Sequence, residues 1–138
     1  HRDSISCKDY YSTSRQIVKF WLIVGALFSA LAVLIGAFGA HGLKSKITPD
    51  SLSIFEIGVR YQMYHSLGLI LIGLIGYHFP HNVIIYSAYF MLAGIIIFSG
   101  SLYLLALSNI KWLGAITPIG GMCFIIGWLL LAFNIYRS

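Results

Sequence analysis

The chain has 138 residues, of which 59% are hydrophobic and 9% charged, and its mean hydropathy is +0.86. So little charged surface excludes a soluble domain of this size, and lipid has to solvate the exterior of a single domain. The formal net charge of +5 comes from basic residues scattered over the ends and connections. Without a basic run or aromatics in polar context, nucleic acid is excluded as a partner, and anionic lipid head groups are the ordinary counterpart.

In chain order, residues 1–19 read as a polar N-terminal tail and 20–138 as a transmembrane domain. The sequence opens on His1 and not on Met, as expected of a chain already processed, truncated or assembled from incomplete information. Within the tail, Lys8-Asp9-Tyr10-Tyr11-Ser12-Thr13-Ser14 resembles the end of a mitochondrial presequence, although Asp3 and Asp9 count against it because transit peptides are poor in acids. The mitochondrial inner membrane is therefore the favoured location, with a bacterial plasma membrane as the alternative.

Four apolar segments follow, at about 20–40, 61–79, 83–107 and 112–135. Each is near the roughly 20 residues a helix needs to cross the hydrocarbon core. Lipid offers no partner to a backbone N–H or C=O, so the spans must be helices, and the simplest arrangement is an up-down four-helix bundle. The connection at 42–60 is the long one. In it Thr48-Pro49-Asp50 has the form of a helix start, with a hydroxyl at the N-cap, a proline at the first helical position and an acid near the positive end of the dipole. Leu52, Phe55 and Val59 then recur at helical spacing, and Glu56 and Arg60 sit four apart. A short amphipathic helix is expected there, running on into the second span. The connections around Pro80-His81-Asn82 and at 108–111 are short and force antiparallel neighbours.

Basic residues do not decide which side faces in. Arg2, Lys8, Arg15, Lys19 and Arg137 lie on one side, and Lys44, Lys46, Arg60 and Lys111 on the other. Up-down alternation nevertheless sorts the polar groups. His41 ends the first span, Tyr61 to His65 opens the second, Ser99 to Tyr103 lies late in the third, and Thr117 lies early in the fourth. All four groups fall in the leaflet bordered by the long connection, while the opposite half is almost featureless. Buried polar groups in hydrocarbon need partners, so a shared cluster is expected at that level.

The same stretches carry a family likeness. Ile35-Gly36-Ala37-Phe38-Gly39-Ala40-His41-Gly42, Gly58-Val59-Arg60-Tyr61-Gln62-Met63-Tyr64-His65, Phe98-Ser99-Gly100-Ser101-Leu102-Tyr103-Leu104-Leu105-Ala106-Leu107 and Ile116-Thr117-Pro118-Ile119-Gly120-Gly121, with Gly127-Trp128, occur in this order. Together they resemble the YgdD-like family of small four-span membrane proteins, also described as the transmembrane protein 256 or domain of unknown function 423 family. The resemblance covers about 20–136 and implies a fold and a membrane, not a reaction. The tail lies outside it.

Read as chemistry, these residues point mainly to packing. Ala32, Gly36 and Ala40 on the first span, and Thr117 and Gly121 on the fourth, are small residues four apart, a spacing that lets helix backbones approach in lipid. Gly120 belongs to the same packing set. Pro118 removes a hydrogen bond inside the fourth helix and frees the carbonyl of Gly114, so a bend or local unwinding is expected there. His41 and His65 could present imidazole to haem or a metal, but no further soft ligand accompanies them, and an interhelical hydrogen-bonded histidine is the stronger reading. His78 and His81 flank the opposite turn as interfacial residues. Cys7 and Cys123 differ too much in setting for a disulfide, and no zinc spacing occurs.

The expected polar cluster comprises His41, Glu56, Arg60, Tyr61, Gln62, His65, Ser99, Ser101, Tyr103 and Thr117. It contains no nucleophile–base arrangement, no intramembrane acid pair and no phosphate loop. The reading is a non-enzymatic membrane protein without cofactor or metal, an accessory or assembly subunit beside a larger, possibly respiratory, complex. The alternative is a site in the polar leaflet for a quinone, lipid, haem or proton.

Overall fold

The structure, a computed structural model, describes residues 2–138, with the side chains of residues 2–6, 9–11 and 14 outside the description. Asp9, Tyr10, Tyr11 and Ser14 of the presequence-like run therefore lie outside the described side chains. The described residues are helical, without strands. α1 runs Arg2–Phe38, α2 Pro49–Ile75, α3 His81–Gly94, α4 Gly100–Ser108 and α5 Thr117–Arg137. A π-helical turn, Gly39–Leu43, ends α1, another, Ile95–Ser99, joins α3 to α4, and a 3-10 turn, Lys111–Ala115, leads into α5. Arg15–Leu43, His81–Ser108 and Lys111–Arg137 are each long and apolar enough to cross a membrane. α2 has the length, at 27 residues, but Glu56, Arg60, Gln62 and His65 dilute its apolar character.

The tail is not a separate element. Residues 1–19 contain neither Gly nor Pro to interrupt a helix, and α1 runs unbroken from Arg2. Val18, one turn before the buried Trp21, is buried on the same face, so burial begins upstream of the expected boundary at residue 20. α2 starts where Thr48 and Pro49 place it, with Thr48 Oγ1 accepting from the Ser51 N–H at 3.2 Å. The amphipathic stretch and the second apolar segment are one helix, ending at Ile75, four residues short of the expected limit.

Paired contacts give the direction of each neighbour. Along α1 and the turn that ends it, Val18, Leu22, Gly25, Gly36 and Gly39 meet Gly76, just past α2, and Gly73, Ser66, Val59 and Phe55 of α2, so the two helices are antiparallel. Gly76 meets Ile84 of α3, while Gly58 meets Tyr103 of α4, which makes α2 antiparallel to that pair as well. On the far side Gly127 packs over Ser87 and Met91, Gly94 against Phe124, and Gly120 against Phe98, so α5 runs opposite to α3 and α4. Trp21, Leu69, Ile72, Ile84, Ala88, Met91, Ile95 and Phe124 form the main core, and Leu43, Phe55 and Ala106 a smaller one below the long connection.

One packing expectation shifts by a residue. Ala32 is fully buried and a Cβ on Gly36 would lie 3.1 Å from Val59 Cγ1, but Ala40 is exposed. Eight residues rotate about 80° past a full number of turns, whereas seven fall about 20° short, so Gly39 carries the stripe in place of Ala40. A Cβ on Gly39 would lie 2.6 Å from the Phe55 ring. On α5 the closest approach belongs to Gly120, whose Cβ would come 2.7 Å from Phe98 Cα; one on Gly121 would meet that ring at an ordinary 3.8 Å. Pro118 does not interrupt a helix. It stands in the first turn of α5, where its missing N–H is harmless, and the 3-10 turn before it replaces the expected bend.

Candidate functional site

The antiparallel registers bring one level of α1, α2, α4 and α5 together, and the polar side chains meet there. Gln62, 3% exposed, is the hub. Its Nε2–H donates to the Phe28 carbonyl of α1 at 2.9 Å, and its Oε1 accepts from the Tyr103 hydroxyl of α4 at 2.6 Å. Gln62 thus ties three helices with one side chain. Ser66 Oγ–H donates to the Gln62 carbonyl at 2.5 Å, one turn back on α2. Ser99, in the π-helical turn, donates across to the Gly58 carbonyl at 2.7 Å, where the absence of a side chain on Gly58 lets Leu102 and Tyr103 close in. Ser101 and Thr117 share a hydrogen bond of 2.6 Å that joins α4 to α5. Ser101 also donates to Phe98, and Thr117 lies 3.4 Å from the Leu113 carbonyl.

His65 belongs to this level but not to the interhelical network. Its Nδ1–H donates to the Tyr61 carbonyl of its own helix at 2.8 Å, which places the proton on Nδ1. The ring stacks on Phe124 of α5 at 3.5 Å between centroids and 11° between planes, with Trp128 at 5.9 Å. It is an aromatic packing element with one local hydrogen bond, where a bond across helices was expected.

The remaining expected members stand outside. His41, Glu56, Arg60 and Tyr61 are exposed, and Glu56 and Arg60 form no ion pair despite their spacing. Tyr61 contributes its backbone carbonyl to His65 and its ring to Phe98 at 4.6 Å. His41 cannot act with His65. Gly39 is level with Phe55 of the antiparallel α2, with His41 two residues beyond that level and His65 ten residues to the other side, so the two histidines lie about twelve residues apart along the interface, about 18 Å at helical rise. Among the described residues no three of His, Cys, Asp and Glu gather as a metal would need, and Cys7 and Cys123 are both free thiols.

What motif reading missed is mostly backbone. The carbonyls of Phe28 and Gly58 accept two of the four hydrogen bonds that join helices at this level, and their place follows only from register. The other half of the molecule is also less plain than expected. Asn134 Nδ2–H donates to the Val83 carbonyl at 3.3 Å, and Trp21 Nε1, His81 Nδ1 and Ser87 Oγ are buried with no hydrogen-bond partner.

Burial separates the histidines in a testable way. His65→Leu removes the ring stacked on Phe124 from a site 6% exposed, whereas His78 is exposed in the 76–80 turn. His65→Leu is expected to lower the thermal-aggregation midpoint in detergent and membrane accumulation, by about 1–2 kcal/mol from lost stacking and shape, and His78→Leu to leave both unchanged. Equal tolerance would mean that His65 is not held between α2 and α5.

Residues 35–121 match the family model described as protein of unknown function DUF423. A UPF0382 membrane protein of Staphylococcus haemolyticus is 48% identical over 120 residues, which covers 87% of this chain and 98% of the relative. One from Staphylococcus epidermidis is 53% identical over 114 residues, 83% of this chain and 93% of the relative. The UPF0382 membrane protein YwdK of Bacillus subtilis is 44% identical over 115 residues, 83% of this chain and 94% of the relative. No solved structure matches. With a model covering more than half of its length and relatives matched almost end to end, the chain is a membrane protein of the DUF423 (transmembrane protein 256) family.

Proposed function

We propose that the chain is a four-span, up-down bundle that performs no catalysis and serves as an accessory or assembly subunit, packing against a larger membrane protein. The fourth span is α2. At about 40 Å it is long enough to cross, its antiparallel partners α1 and α3 are spans by composition, and the side chain of Gln62 is taken up by α1 and α4. The bacterial relatives favour a plasma membrane over the mitochondrial inner membrane expected from the tail.

The observation that carries the functional reading is the closure of the polar network. Gln62, Tyr103, Ser99, Ser101 and Thr117 are satisfied by one another or by main-chain carbonyls, so they hold the helices together without calling for a quinone, haem or proton among them. Meanwhile Ile23, Leu27, Leu31, Leu34 and Phe38 form an exposed apolar stripe on α1, which packs chiefly on α2. Such a face suits lipid and equally suits a protein neighbour of similar apolarity.

Placing a photo-activated leucine analogue at Leu27 or Leu34 tests this in native membranes. The expected product is one discrete heavier adduct, absent when the same analogue replaces Leu71 on α2. A chain that stays monomeric after irradiation at either α1 position removes the accessory role. Reporter fusions at the two termini test the span count separately, since four spans put both on one side and three put them on opposite sides.

A further inference from the structure

The buried polar atoms that lack partners lie at the end opposite the closed network, where α1, the 76–80 turn and the C-terminus meet. Three cavities lined by described residues open at this same end. One, of about 330 Å³ between α1 and α3, is walled by Gln16, Phe20, Trp21, His81, Ile85 and Tyr89, together with Thr13 and Ile17. Trp21 is 1% exposed, and its indole N–H, which can only donate, has no acceptor. His81 Nδ1 is also buried without a partner, and His81 opens α3, whose first turn has no side-chain cap. Two residues whose ring nitrogens are buried and unmatched, one of them at a helix start, thus line one opening. A buried donor left unmet destabilises the fold, so a ligand that supplies oxygens is stabilised by meeting it before its other contacts count.

Charge narrows the ligand. Among the described residues the cavity wall carries no acidic side chain, and Gln16 is shared with the adjoining cavity, which Lys8, Arg15 and Lys19 line together with Tyr77. The deeper wall is apolar and aromatic: Phe20 and Tyr89 both meet Trp21 edge-on, at 5.0 and 5.2 Å between centroids. Donors in the wall and cations in the adjoining cavity, with hydrocarbon below, match a molecule whose head carries phosphate and ester oxygens and whose tail is an acyl chain. Trp and Tyr at this depth are what a membrane interface favours.

We infer that this cavity is a binding site for an anionic phospholipid, its phosphate or ester oxygens accepting from Trp21 Nε1–H and His81 while an acyl chain lies along Phe20, Ile85 and Tyr89. The site goes beyond the accessory role and does not depend on it. It differs from the surrounding lipid shell because the head group is held by specific, otherwise unmatched groups, so it should saturate at one lipid per chain.

The test is native mass spectrometry of the delipidated full chain, titrated with phosphatidylglycerol and separately with phosphatidylcholine. One tightly retained phosphatidylglycerol is expected, with phosphatidylcholine bound at least tenfold more weakly. Trp21→Phe keeps the edge-on ring contacts and removes only the donor, and it is expected to weaken phosphatidylglycerol retention at least tenfold. His81→Leu should do the same, and it decides the matter should Trp21→Phe not fold. His78→Leu, in the neighbouring turn, should bind like the wild type. Millimolar inorganic phosphate should not displace the lipid. Retention that never saturates, that is equal for the two lipids, that survives both Trp21→Phe and His81→Leu, or that yields to inorganic phosphate alone would overturn the assignment.

Discussion

Gly120→Ala is expected to abolish accumulation of the folded protein in the membrane, while Gly100→Ala leaves it unchanged. A Cβ added at Gly120 would press on the backbone of Phe98, meeting its N and lying 2.7 Å from its Cα and Cβ. Main chain cannot rotate away as a flexible side chain can. Relief requires α5 to separate from the π-helical turn Ile95–Ser99, and that movement would pull Thr117 from Ser101 and loosen Phe124 from Gly94 and His65. Overpacking of a filled core costs about 1–3 kcal/mol, and opposed backbones belong at or above the top of that range, a large fraction of a small protein's stability. Gly100, two residues from Phe98, has nothing within 4 Å of its added Cβ, so the pair compares the same substitution with and without an opposing backbone. Membrane-fraction immunoblotting and thermal aggregation in detergent read both. Normal accumulation of Gly120→Ala would mean that α5 does not approach Phe98 this closely.

The elements were largely legible because their signals are local. Thr48-Pro49-Asp50 carries a hydroxyl acceptor, a proline and an acid in the order a helix start requires, and α2 begins there. Short connections at 76–80 and 109–110 dictated antiparallel neighbours, and the contact registers agree. Asn109 marks the end of α4 by taking a left-handed conformation, with φ of 57°, that asparagine tolerates. Less legible was the Ile95–Ser99 turn. Widening a helix by one residue leaves no periodicity signature in a run such as Ile95-Ile96-Ile97-Phe98, where every position is apolar. Yet that turn turns Ser99 toward Gly58 and sets Phe98 against Gly120.

The site was legible by level and not by face. Chain order and alternation put Gln62, Ser99, Ser101, Tyr103 and Thr117 at one depth, where the structure bonds Gln62 to Tyr103, Ser101 to Thr117 and Ser99 to the Gly58 carbonyl. The same reasoning included His41, Glu56, Arg60 and Tyr61, because depth says nothing about which side of a helix a residue occupies. Gln62 and Ser66, four apart, share the inward face of α2. Glu56 and Arg60, four apart as well, share an outward one. The orphaned Trp21 and His81 could not have been found by polarity alone. Both sit in segments that read as apolar or interfacial, and only the burial of Trp21 against α3 shows that its N–H lacks an acceptor.

Gln62→Leu is expected to be the most damaging single change within the polar network, and its partner should be able to offset part of the loss. Leucine fills nearly the same volume, so the effect isolates two hydrogen bonds: the one to the Phe28 carbonyl and the one from the Tyr103 hydroxyl. Phe28 retains its place in the helical ladder of α1, but the Tyr103 hydroxyl, half-buried beside Phe55, loses its acceptor. An unmatched buried donor costs about 1–3 kcal/mol, although hydrogen bonds between helices in lipid average about 0.6 kcal/mol, which places the expected loss near 1–2 kcal/mol. Tyr103→Phe alone should cost less, because the Gln62 amide keeps its bond to Phe28. In the double variant Gln62→Leu/Tyr103→Phe neither partner is stranded, so its aggregation midpoint should lie above the one that adding the two single losses predicts. Additive losses would show that the 2.6 Å contact contributes nothing, and that α2 and α4 are held by the Ser99–Gly58 bond and apolar packing alone.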